Sequence, residues 1–199
     1  MGTTTRVPNL IPGDSSFETE ATKSCVRNSR QGTVTWTIDN IEKYDGRQSL
    51  KLCFPKLNAM VFGAPFLISA KQIKGGSIFT LSVYAKADQD GVGAKLYLLQ
   101  PDDLSPVIQK EIRLTSEWGR YALSGKLEPR KYCIAFEAFP SNSCSVWVDA
   151  YQFENGDKPT VYHNCANNFG ILIPSEYGSV FFPDEPVKVR LQALFQGES

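Results

Sequence analysis

The sequence predicts an all-β chain folded as an antiparallel β-sandwich, and three observations carry that expectation. Apolar and polar residues alternate with a period of two, most clearly from Ile78 to Ala87. Gly, Pro, Asn and Asp punctuate the chain at intervals that suit short strands. No segment carries a convincing helical period. With 199 residues the chain is long enough to bury a sizeable core without disulfides.

In chain order, the first strand is expected at Thr33 to Ile38, ending at Asp39-Asn40, and the second at Ser49 to Phe54, ending at Pro55. From Ile78 to Ala87, Phe79, Leu81, Val83 and Ala85 share one face, while Thr80, Ser82, Tyr84 and Lys86 share the other. This is the pattern of a half-buried strand. Ala94 to Gln100 repeats it, with Leu96 and Leu98 opposed to Lys95, Tyr97 and Leu99. The intervening Asp88-Gln89-Asp90-Gly91-Val92-Gly93 has the composition of a hairpin turn. A hairpin would set Tyr84 across from Tyr97 and Lys86 near Lys95, with both rings side by side on the face away from the core. Further strands are expected at Val107 to Leu114, Trp118 to Lys126, Lys131 to Phe139 and Cys144 to Phe153.

After Glu154-Asn155-Gly156-Asp157-Lys158-Pro159 the texture becomes that of a linker. Residues 163–199 are expected to be this linker and the first strand, around Val180 to Leu191, of a following immunoglobulin-like domain that the sequence cuts short. Leu194-Phe195-Gln196-Gly197 resembles a viral protease cleavage tag and carries little weight.

Charge and composition exclude several function classes. Lys plus Arg and Asp plus Glu number 21 each, and no basic run stands out, so no nucleic-acid partner is expected. No stretch approaches the ~20 apolar residues of a membrane span, and the first six residues lack the apolar region of a secretory signal. Cys25, Cys53, Cys133, Cys144 and Cys165 are odd in number and lack close Cys-x-x-Cys pairs, which favours buried free thiols; one disulfide is compatible with secretion. The single histidine, His163, lies in the linker two residues from Cys165, which is no triad geometry. Glu111, Glu117 and Glu137 sit in no phrase that marks an active site, so no catalytic residue is assigned.

Two phrases bracket the strand-rich region: Asn9-Leu10-Ile11-Pro12-Gly13-Asp14-Ser15-Ser16-Phe17-Glu18, and Ser145-Val146-Trp147-Val148-Asp149-Ala150-Tyr151-Gln152-Phe153-Glu154. Between them lie Gly46-Arg47-Gln48-Ser49-Leu50-Lys51-Leu52, Phe79 to Lys86, and Thr115-Ser116-Glu117-Trp118-Gly119-Arg120-Tyr121. In this order and spacing, residues 9–162 resemble the carbohydrate-binding modules of the family-four and family-nine type, which are galactose-binding-like jelly rolls. The resemblance implies a non-catalytic module, secreted or at the cell surface, that brings a covalently linked polysaccharide-degrading enzyme to its glycan. It also implies a structural calcium ion, with Glu18, Glu20 and Asp149 as acidic ligands and carbonyls near Gly46 and Arg47 completing the shell. Gly13-Asp14 departs from the more direct run into Ser-Phe-Glu of many relatives.

Tyr84 and Tyr97 are the candidate stacking surface for sugar rings, with Lys86, Lys95 and Glu137 as partners for sugar hydroxyls. Trp36 and Tyr44 lie where such modules place loop aromatics over the groove, although Trp36 in its Thr-rich strand reads more readily as core. Trp118 reads as packing, and the side of Trp147 is left open. The alternative is a structural or adhesive sandwich without a sugar site, in which Tyr84 and Tyr97 are covered.

Overall fold

The computed structural model describes residues 9–11, 14–18, 27–28, 34–55, 61–163, 171–172 and 190–191. The strands in chain order are β1 (Arg27–Asn28), β2 (Thr35–Asp39), β3 (Ser49–Phe54), β4 (Val61–Ile68), β5 (Ile78–Ala87) and β6 (Val92–Leu99). They continue with β7 (Pro106–Leu114), β8 (Gly119–Lys126), β9 (Tyr132–Ala138), β10 (Cys144–Asn155), β11 (Ile171–Leu172) and β12 (Arg190–Leu191). A 3-10 turn, Ala70–Gln72, is capped by Ser69 and Gln72. The chain divides into two compact units, Met1–Ala166 and Asn167–Ser199. In the second, β11 pairs antiparallel with β12, Ile171 opposite Leu191.

The first unit is the expected sandwich. One five-stranded antiparallel sheet has the order β1-β4-β9-β6-β7, and the other β2-β3-β10-β5-β8. Most successive strands change sheet, which is the jelly-roll path. Phe79, Leu81, Val83 and Ala85 of β5 are buried between the sheets, together with Leu50, Leu52 and Phe54 of β3 and Val146 and Val148 of β10. Ala94, Leu96 and Leu98 of β6 meet them from the other sheet. Each fully buried large side chain contributes about 1.5–3 kcal/mol of transfer free energy. Trp36 packs against this core, as its setting in the strand suggests.

Strands β3 and β5 have the boundaries the sequence suggests, but the expected hairpin does not hold. The 88–91 turn is not a hairpin between paired strands: β5 and β6 belong to opposite sheets. Tyr84 pairs with Arg120 and Asp149, whereas Tyr97 pairs with Gln109 and Ala135. Alternation states which face of a strand is buried, not which strand lies beside it; both strands bury their apolar faces by facing each other across the core. The end of β5 is held elsewhere, with Ala87 N–H donating to Thr115 O at 2.9 Å and Asp88 N–H to Ser145 O at 3.0 Å.

Strand β4 has no counterpart among the expected strands. It contains Gly63 and Pro65, pairs with β9, and its register shifts between Gly63 and Phe66. A bulge there tolerates a proline, which has no N–H to offer the ladder.

Candidate carbohydrate-binding groove

The two bracketing phrases meet at a bulge in β10. Its register shifts between Asp149 and Gln152, and Ala150 has φ +50°. There the opening segment runs beside the strand: Tyr151 N–H donates to Ser15 O at 2.8 Å, Leu10 N–H to Phe153 O at 2.6 Å, and Phe153 N–H to Asn9 Oδ1 at 3.0 Å. Phe17, Phe66 and Tyr151 pack as a trio of rings, with centroids 5.3–6.4 Å apart.

Asp149 is fully buried at this junction. One carboxylate oxygen accepts from Ser16 Oγ at 2.7 Å and Ala150 N at 2.6 Å, and the other from Tyr44 N at 2.9 Å and Asp45 N at 3.0 Å. Burial pushes its pKa up to about 7 against the opposing pull of these donors. Glu18 accepts from Arg47 N, at 3.0 Å to both oxygens, and from Gln48 N at 3.3 Å. Its carboxyl also lies above its ordinary value, through desolvation and the nearby Asp14 and Asp45 charges.

A calcium shell needs oxygen lone pairs directed at one point. Here the 44–48 loop turns amide N–H groups toward both carboxylates, at Tyr44 and Asp45 and at Arg47 and Gln48. Among the described residues no three Asp, Glu, His or Cys side chains are grouped to hold a metal. In this arrangement loop amides take up the oxygens of Glu18 and Asp149, and hydrogen bonds tie the opening segment to the closing strand. Glu20 lies outside the described residues.

The loop held by Asp149 carries Tyr44 onto the outer face of the β2-β3-β10-β5-β8 sheet. Its ring stacks on Tyr84 at 3.4 Å between centroids and 13° between planes, with Trp118 tilted against it at 6.1 Å. Tyr44 is 43% exposed, so it is the outer ring of the stack. A hydrogen bond with the Tyr84 hydroxyl, reinforced by burial, pushes the Tyr44 phenol up to about 12.

Residues 156–163 form a strap across the same sheet face. Thr80 Oγ1 donates to Gly156 O at 2.8 Å, and Ser124 Oγ to Asp157 O at 3.0 Å. Thr160 N–H donates to Glu154 Oε1 at 2.9 Å, and His163 N–H to Gln152 Oε1 at 2.9 Å. Tyr44, Asp45, Tyr84 and Arg120 on one side and Pro159–Tyr162 on the other enclose an open groove of about 650 Å³.

Beside the groove, Trp147 faces outward between its cross-strand neighbours Lys51 and Lys86, whose ammonium groups lie 4.8 and 5.4 Å from its ring centre. Its indole N–H donates to Asp39 at 2.9 Å, and Lys86 bridges to Glu42 at 2.9 Å. Of the expected ligand residues, Tyr44 and Tyr84 share the groove wall, and Lys86 lies beside it on Glu42 and Trp147.

Tyr97, Lys95 and Glu137 sit on the outer face of the other sheet. Tyr97 is only 7% exposed, clusters with Leu99, Cys133 and Ala135, and donates its hydroxyl to Glu137. Lys95 is bridged to Glu111 at 2.9 Å. These three cannot share a stacking surface with Tyr84.

Sequence reasoning missed Arg120 and the strap. Arg120 pairs with Glu154, 34 residues later, and no local pattern announces a contact that long. The outward side of Trp147 was open to inference, because it alternates with the buried Val146 and Val148.

No family model matches the sequence, and no curated protein does either. Solved structures do match. The TmCBM61 module in complex with β-1,4-galactotriose superimposes with a TM-score of 0.58 at 14% identity, over 75% of this chain and 99% of that one. The enzymatically active domain of bacteriophage CBA120 tailspike protein 4 gives 0.56 at 21% identity, over 74% of this chain but only 21% of the tailspike chain. The C-terminal family 22 carbohydrate-binding module of Clostridium thermocellum Xyn10B gives 0.50 at 13% identity, over 76% and 98%. The chain therefore has the β-sandwich fold of carbohydrate-binding modules.

Proposed function

We propose that residues 9–162 are a non-catalytic module that binds an oligosaccharide or polysaccharide in the groove between the 40–48 loop and the strap. The observation that carries this reading is the exposed Tyr44 ring, presented on Tyr84 at the wall of a groove about 650 Å³ in volume. A flat apolar ring beside fixed polar groups suits the alternating CH faces and hydroxyls of a pyranose. Asp45 and the Thr160 segment supply polar groups at the rim. Affinity is expected to be modest, since an open site buries little area and must order its ligand. The same reading takes the module to be secreted or surface-displayed and covalently linked to a catalytic or immunoglobulin-like domain, which it holds near a glycan.

A calcium-controlled panel of glycans tests the proposal: binding by the wild type that is lost in Tyr44→Ala supports it, and no binding under any condition counts against it. A second reading, a structural or adhesive sandwich without a sugar site, is favoured by one observation. Tyr97 is covered, and Tyr84 is half-buried beneath Tyr44.

A further inference from the structure

Arg120 touches both walls of the groove. Its Nε and Nη2 donate to Ser82 Oγ at 3.2 and 2.9 Å, and Nη1 donates to the Thr160 carbonyl. Its Cζ lies 5.4 Å from the centre of the Tyr84 ring, and Nη2 is 3.9 Å from the fully buried Glu154 carboxylate. Glu154 in turn accepts from Thr160 N–H and Oγ1. The guanidinium is therefore the group that contacts, at once, the sheet beneath, the aromatic wall and the strap wall. Glu154 balances its charge and holds the same strap residue at its N–H and Oγ1. A planar fork does this with one side chain; an ammonium reaches one partner at a time.

We propose that Arg120 is a positioning residue for ligand binding, a clamp that sets the separation between the Tyr44–Tyr84 wall and the strap at Thr160–Val161. Val161, 76% exposed, is the strap side chain the clamp offers to a ligand opposite Tyr44. The proposal rests on the glycan-binding reading for its consequence, but the clamp itself is testable without it. Misplacing either wall by about an ångström removes simultaneous contact with both faces of a ring.

The experiment compares wild type, Arg120→Lys, Arg120→Ala and Ser124→Ala by amide hydrogen exchange at 160–163, by melting temperature, and by titration with the glycan that binds wild type best. Arg120→Lys keeps the charge beside Glu154, so it is expected to fold and melt near wild type even where Arg120→Ala does not. It should show faster exchange confined to 160–163 and roughly tenfold weaker binding. Ser124→Ala removes a strap bond remote from the groove and should keep wild-type affinity. Wild-type exchange in Arg120→Lys with affinity within about twofold overturns the clamp, as does an equal affinity loss in Ser124→Ala. If no glycan binds wild type, the functional reading fails, and exchange at 160–163 alone decides the clamp: faster in Arg120→Lys upholds it, unchanged overturns it.

Discussion

Gly46 has φ +65°, and a Cβ added there would lie 2.3 Å from Glu18 Oε1. Gly46→Ala is therefore expected to strain the backbone and displace the carboxylate from the Arg47 and Gln48 amides, costing about 1–2 kcal/mol in urea unfolding. A change near zero would mean the loop finds another conformation cheaply. Asp149→Asn keeps the shape but turns an NH₂ toward two donors. Whichever way the amide is oriented, at least one backbone N–H, that of Ala150 or those of Tyr44 and Asp45, loses its acceptor, and the expected loss is at least about 1 kcal/mol by the same assay. Both residues stand in phrases the sequence marks as special, so their importance was legible. Their partners were not, because which backbone amides meet a carboxylate depends on how the facing loop turns its peptides, and side-chain identity does not determine that.

At the level of elements, the alternating segments were legible because the strands are half-buried and each apolar face is written out residue by residue. The partners were not, since a hairpin and an arch between two sheets bury the same faces of β5 and β6. A cysteine-pair experiment separates the two. Ser82 and Ala122 lie directly opposite each other in register, so Ser82→Cys/Ala122→Cys is expected to form a disulfide under mild oxidation. Tyr84→Cys/Tyr97→Cys is expected to form none, because its two positions lie on different sheets. A crosslink in the second variant and none in the first would restore the hairpin. Cys53 and Cys144 are free thiols in both variants, so the parent chain under the same oxidant is the reference. Strand β4 escaped notice for a different reason: its glycine and proline are accommodated by a bulge, which local propensity does not anticipate.

On the scale of the whole molecule, Asn9, Ser15 and Ser16 of the opening phrase are hydrogen-bonded to Tyr151, Phe153 and Asp149 of the closing phrase, and Glu18 and Asp149 hold the 44–48 loop between them. The melting temperature is therefore expected to be the same in excess calcium and in excess chelator. A rise of several degrees with calcium would show that the loop amides turn away and that Glu18 and Asp149 become metal ligands after all. The groove is likewise a property of the whole fold. Tyr44 comes from a loop that Asp149 holds, Tyr84 from β5, Arg120 from β8, and the second wall from the strap beyond β10. Of the seven expected ligand residues, Tyr44 and Tyr84 line the groove and Lys86 lies beside it, while Tyr97, Lys95 and Glu137 lie across the sandwich and Trp36 packs on the core. A single sandwich supports many functions, so the site must carry the functional claim.

The most direct test is a calorimetric titration of wild type, Tyr44→Ala and Tyr97→Phe with the best ligand from the glycan panel. The account predicts that Tyr44→Ala loses at least about tenfold in affinity, roughly 1.4 kcal/mol, with little change in melting temperature, while Tyr97→Phe binds as wild type does. Undiminished binding by Tyr44→Ala, or loss in Tyr97→Phe alone, would contradict it and move the site to the other sheet.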